Sequence, residues 1–179
     1  MTTRPAAGSQ PEARTVANSK VTLTQAMGPE HANIQGNVHG GVIMRLVDTA
    51  AGYAAVRHCR GRTVTARIDT MHFLQPVHIG DLVTLKASVN DVGRTSMEVG
   101  VRVEAENVLT GEVRHVSSAY LVFVALDDAG RPREVPRLIA ETPEEQRRMA
   151  QARLRREYRK RGEEAIQALH AGTARDHTI

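Results

Sequence analysis

What this chain lacks narrows what it can be. Its 179 residues include one cysteine, Cys59, and no tryptophan, and aromatics make up 3%. A single thiol excludes an internal disulfide and fits a reducing compartment. With so few aromatic side chains, the core must be built from Val, Leu, Ile, Ala and Met. No apolar run approaches the ~20 residues of a membrane span. The opening segment, Met1 to Lys20, has no apolar middle of the kind secretion signals carry, so the expected location is cytoplasmic, away from membranes. There is no P-loop, no glycine-rich dinucleotide fingerprint and no G-x-S-x-G elbow. Neither an internal repeat nor a helix-turn-helix pattern is present, and no nucleic-acid partner is expected. His72 and His78 are too far apart along a strand to pair, and no Cys/His spacing resembles a zinc set, so no metal is expected. The net charge of +4 comes largely from arginine and permits an anionic substrate without specifying one.

What the chain does have is concentrated between His31 and Arg60. A loop punctuated by Asn33, Gly36, Asn37, Gly40 and Gly41 suits tight or left-handed backbone. Val42, Ile43, Leu46, Val47, Ala50, Ala51, Ala54 and Ala55 then recur at spacings of three and four, which predicts a helix. Met44 extends the apolar surface most of the way round, so the helix should be enclosed by protein on nearly all sides. Asp48 interrupts that surface, and a buried carboxylate needs either a partner or a use. Asn37 is positioned to cap the helix. Backbone amides at Gly40 and Gly41 face an incoming group where the helix dipole favours negative charge. His39 and Asp48 are nine residues apart (48 − 39), about 13.5 Å at the helical rise of ~1.5 Å. One copy therefore cannot bring its acid to its own glycine end, and two antiparallel copies can.

The rest of the chain reads as strands around this helix. Residues 1–18 are expected to be a disordered lead-in, 19–140 the folded domain and 141–179 a charged helix and tail. Val21 to Met27 is a short strand. Thr63 to Leu74, Asp81 to Val92, the alternation of Met97, Val99, Val101 and Val103, and Val113 to Leu126 supply four more. Glu98, Arg102 and Glu104 should face solvent. Thr142 and Pro143 open a last helix from about Glu144 to Ala168, with little apolar stripe. Short turns join the last three strands, so the sheet is mainly antiparallel and the class is α+β: five strands wrapped round one long helix, plus a C-terminal helix.

The run Asn33-Ile34-Gln35-Gly36-Asn37-Val38-His39-Gly40-Gly41 followed by Asp48 resembles the signature of hotdog-fold acyl-CoA thioesterases. It is similar to bacterial short- and medium-chain enzymes and to the cytosolic acyl-CoA hydrolase of animal brain. The likeness continues through Arg57-His58-Cys59, Val64-Thr65, Phe73 with Pro76, Gly80-Asp81, Gly93-Arg94-Thr95-Ser96 and Glu134-Val135-Pro136. The resemblance implies hydrolysis of an acyl-CoA thioester to a free acid and CoA, with no cofactor, CoA being part of substrate and product. It implies that Asn33 and Asp48 come from opposite halves of a homodimer, which relatives often assemble threefold into a hexamer. Asp48 would act as general base on water or attack directly. Asn33 would orient water or carbonyl, and Gly41, with Gly40, His39 and Asn37, would cradle the oxyanion and substrate. Arg57, His58, Arg62 and Arg94 would meet the CoA phosphates, with Thr65 and Ser96 on the pantetheine arm. The alternative is a non-catalytic acyl-CoA sensor using the same pocket.

Overall fold

The computed structural model describes residues 12–173. In chain order the elements are β1 (Arg14–Thr15), β2 (Val21–Ala26), α1 (Gly40–Cys59), β3 (Thr63–Phe73), β4 (Leu82–Val92), β5 (Ser96–Asn107), β6 (Glu112–Ala125), β7 (Leu138–Ile139) and α2 (Pro143–Thr173). Five strands form one antiparallel sheet in the order β2-β4-β5-β6-β3. Its inner face wraps α1, which confirms the hotdog architecture.

The inner face is apolar for the reason the alternation gives. Val83, Leu85, Ala87 and Val89 of β4, Val99, Val101 and Val103 of β5, and Ala119, Leu121 and Phe123 of β6 all point inward and are buried. They pack on the small-residue stripe Ala50, Ala51, Ala54 and Ala55, which allows helix and sheet to approach closely. Full burial of each Val, Leu or Ile here is worth about 1.5–3 kcal/mol. At its C-terminal end α1 stops on Arg60, a non-glycine residue in left-handed conformation (φ 50°). Its last carbonyls accept from Arg14 (His58 O, 3.0 Å) and Arg133 (Cys59 O, 2.7 Å), the cationic termination the helix dipole favours.

Three observations refine the expectations. First, one chain alone leaves one face of α1 open. Met44, Tyr53 and Val56 are 42%, 59% and 39% exposed on the face that also carries Asp48 and Gly52. Secondly, the lead-in is ordered from at least Arg14: β1 pairs in parallel with β7, and Val16–Ser19 is a 3-10 turn with Val16 and Ser19 buried. The earlier part of that expectation, residues 1–11, lies outside the described residues. Thirdly, Glu98 does not face solvent. It is 2% exposed because α2 lies across the outer face of the sheet.

That docking is ionic. Arg155 reaches Glu98 at 2.6 Å, Arg159 reaches Asp69 at 2.5 Å and Glu98 at 3.1 Å, and Arg156 reaches Asp91 at 2.5 Å. The start of α2 follows the sequence reading: Thr142 Oγ1 accepts from the Glu145 amide, while the Glu145 carboxylate accepts from the amides of Glu141 and Thr142. Among the described residues no helix is long and apolar enough to cross a membrane.

Candidate active site

The predicted site residues fall into two groups on one chain. The first surrounds the start of α1. Asn33 Oδ1 accepts from the amides of Gln35 (2.9 Å) and Asn37 (3.1 Å), so this side chain folds the loop on itself. Because a backbone N–H can only donate, the bonded atom must be the carbonyl oxygen. What Asn33 can offer a substrate is therefore its NH2 group, a donor, rather than both functions of the amide.

Asn37 is not the helix cap. Its Oδ1 accepts from His78 Nδ1 at 3.0 Å, and His39 occupies the capping position, its Nδ1 accepting from the Gly41 amide at 2.9 Å. Asn37 lies two residues too early for that bond. It follows that the Gly41 amide is already engaged and opens to an oxyanion only when the His39 ring turns away. Gly40, at the first helical position, has an amide that the helix itself cannot satisfy. A cavity of about 350 Å³ lies against this group, lined by Asn33, Asn37, Gly40, Phe73 and Val77.

A support not legible in the sequence holds the loop. Asp81, 3% exposed, accepts from the His78 amide (2.9 Å) and from Arg114 (2.8 Å). The Val38 amide donates to Val77 O at 2.9 Å. Arg114, Asp81, His78 and Asn37 thus form one chain of bonds from β6 to the glycine loop. The only sequence signal was the Gly80-Asp81 turn.

The second group surrounds Asp48, two turns further along α1. Thr65 of β3 donates its hydroxyl to Asp48 Oδ1 at 2.7 Å. This adds to the expected place of Thr65 beside the pantetheine arm: its hydroxyl orients the acid while leaving the second carboxylate oxygen available. Asp48, Gly52, Tyr53, Val56, Thr65 and Phe123 line a separate cavity of about 340 Å³. The two cavities share no lining residue.

Of the cationic candidates, Arg57, Arg62 and Arg94 are exposed. Arg62 and Arg94 lie at one end of the sheet, where the Leu126 amide donates to Arg62 O and the Val135 amide to Arg94 O. Ser96 opens β5 at the same end. The guanidinium of Arg57 bonds Lys20 O. His58 is a correction. It is wholly buried, with Nε2 2.9 Å from Pro136 O. Burial above all, aided by nearby Arg14, pushes its pKa below the usual imidazole range against the opposing pull of that bond. A buried neutral ring cannot meet a phosphate.

Known proteins resemble this chain in sequence and fold. The thioesterase superfamily profile matches residues 35–112. An uncharacterized acyl-CoA thioester hydrolase of Bacillus subtilis is 43% identical over 135 residues, 75% of this chain and 78% of that protein. The cytosolic acyl coenzyme A thioester hydrolase of Mus musculus is 35% identical over 145 residues, and the match covers 80% of this chain but 38% of that longer protein. Among solved structures, an apo hexameric acyl-CoA thioesterase superposes with a TM-score of 0.82 at 36% identity, covering 84% of this chain and 96% of its own. The Staphylococcus aureus acyl-CoA hydrolase in complex with butyryl coenzyme A superposes with a TM-score of 0.81 at 31% identity, covering 90% and 99%. That enzyme has also been solved as alanine variants of an asparagine, an aspartate and a threonine.

Proposed function

The chain belongs to the acyl-CoA thioester hydrolases of the thioesterase superfamily and hydrolyses acyl-CoA thioesters to the free acid and CoA; we propose that it does so at a site which two copies assemble between them. The observation that carries this reading is the division of the chemistry between two unshared cavities, with the acid in one and the amide cradle in the other. Gly40 and Asp48 are eight residues apart on one rigid helix, about 12 Å.

A two-fold axis beside α1 brings each acid to the other chain's loop. It also covers the surfaces one chain leaves open: Met44, Tyr53 and Val56 on α1, and Val64 and Ile68 on β3, which are 46% and 43% exposed. β3 is an edge strand of 11 residues, and a long bare edge of this kind is a template for pairing. In this reading β3 pairs with its copy, and three such dimers form the hexamer, as the hexameric relatives suggest. The location is cytoplasmic, in keeping with the free buried thiol of Cys59.

The thioester carbonyl lies over the start of α1. Its oxygen accepts from the Gly40 amide, from the Asn33 NH2 group and, once His39 rotates, from the Gly41 amide. Such a donor is worth about 2.7–4 kcal/mol at the transition state. Asp48 of the second copy, with Thr65 on Oδ1, uses its other oxygen to take a proton from water or to attack the carbonyl. Arg57, Arg62 and Arg94 meet the CoA phosphates, with Ser96 beside them. These steps need only protein groups and water.

The test is thiol release from acyl-CoAs of increasing chain length by the wild type, Asn33→Ala and Thr65→Val. Both variants should be slower with each substrate, Thr65→Val because its acid is no longer oriented. Unchanged rates in Thr65→Val would remove Thr65 from the site, and unchanged rates in Asn33→Ala would remove Asn33.

A further inference from the structure

A second built site lies on the opposite side of the sheet from the thioester chemistry. Between the outer face of β4–β6 and the first turns of α2 there is a cavity of about 210 Å³. Five of its lining side chains are cationic (Lys86, Arg102, Arg147, Arg148 and Arg155) and one, Glu144, is acidic. The carboxylates paired with these cations are too few. Lys86 and Arg102 share Glu104 (2.6 and 2.7 Å), Arg147 and Arg148 share Glu144 (3.9 and 2.5 Å), and Arg155 shares Glu98 with Arg159. Five positive charges converging on three carboxylates leave positive potential over the cavity.

Its floor is Asn90, and a β-bulge puts it there. β4 pairs Val89 with Val99 and then Asp91 with Glu98, so Asn90 has no residue opposite it. Strict alternation after Val83, Leu85, Ala87 and Val89 would send Asp91 into the apolar core. The extra residue turns Asn90 and Asp91 both outward, Asp91 to the arginines of α2 and Asn90 to the cavity. Asn90 is 4% exposed, yet its carboxamide makes no hydrogen bond to any described residue. Gly100 makes room for it, since a Cβ there would come within 2.5 Å of Asn90 Nδ2. Its amide opens into the cavity under a ring of excess cations, where an anion can take the place of water on it.

We propose that this cavity binds a compact oxyanion of the phosphate class, which accepts from the Asn90 amide and from Arg147, Arg148 and Lys86. Its volume lies below the ≈300 Å³ at which sites for drug-sized ligands begin, so it takes the oxyanion itself rather than a whole nucleotide. Because the cationic side chains come from both the sheet and α2, the bound anion clamps the helix to the sheet.

The experiment is calorimetric titration of the full-length protein with inorganic phosphate at constant ionic strength, without thioester, together with crystals soaked in tungstate. The wild type should bind one phosphate per chain, with tungstate density beside Asn90. Arg147→Gln/Arg148→Gln should bind at least tenfold more weakly. Asn90→Asp, of the same shape but opposed in charge, should not bind at this cavity. The melting temperature of each variant is measured alongside; if Asn90→Asp does not fold, the double arginine variant, whose side chains leave the sheet untouched, decides alone. Phosphate affinity unchanged in the double variant, tungstate density only elsewhere, or no saturable binding would each overturn the proposal. None of these outcomes bears on thioester hydrolysis, which is measured separately.

Discussion

α1 and α2 lie on opposite faces of one sheet and are held there by opposite chemistry. α1 is embedded through alanines and branched aliphatics that are almost completely removed from water. On α2 the buried side chains are few, Ala152 and Glu145 among the described ones, and the contact is carried by arginines on Asp69, Asp91 and Glu98. Apolar packing is non-directional and is not screened by salt as charges are. Ion pairs fix register and angle, and they cost stability when one partner is lost, because the other charge stays buried. The apolar helix carries the reaction on its open side, and the ionic helix closes the side of the sheet away from it.

The sharpest way to separate the two helices is by what each does for turnover. Asp48→Asn should lower thiol release by about 10²–10⁴-fold, the usual worth of a positioned acid–base group, with little change in melting temperature, since an amide oxygen still accepts from Thr65. An unchanged rate would remove Asp48 from the mechanism. Next come paired substitutions on the two faces. Glu98→Gln strips a buried carboxylate from two arginines and should cost about 3–5 kcal/mol, read in hydrogen exchange as loosening of α2. Leu121→Ala on the inner face should cost about 2–5 kcal/mol by denaturant unfolding, with no selective effect on α2. If Glu98→Gln leaves α2 as protected as before, the ionic account of its docking is wrong.

Smaller still is the cap of α2. Thr142→Ala should cost about 0.5–2 kcal/mol, visible as fraying of the first turn. The last is a pH effect on the α1 side. His58 is held neutral by burial, so the unfolded chain binds a proton that the folded one refuses. Stability should therefore be complete above the ordinary imidazole value of about 6.5 and fall as the pH drops below it. His58→Gln should flatten that decline in unfolding curves taken across the range.

The same contrast explains what could be read in advance. The 3–4 spacing of α1, the alternation of β4, β5 and β6, and the Asn33–Gly41 loop with Asp48 are local patterns, and each maps onto an observed element. The docking of α2 has no local pattern: Arg155 and Glu98 are 57 residues apart, and alternation alone reads Glu98 as solvated. The bond from Thr65 to Asp48 was not legible for a related reason, because nothing in the sequence of β3 says that its hydroxyl meets α1. Helix capping by His39 rather than Asn37 depended on where the first helical residue falls, the least legible feature of any helix. The bulge at Asn90 could be inferred only from the cost of placing Asp91 in an apolar core.

The division of the site between two copies is tested most directly by mixing Asp48→Asn subunits with Asn33→Ala subunits in equal amounts under conditions that exchange partners. Each mixed dimer then holds one site with both groups intact and one with neither. Thiol release should recover to about a quarter of the wild-type rate if pairing is random within the two-fold assembly. A rate no higher than the average of the two parent variants would show that each chain works alone.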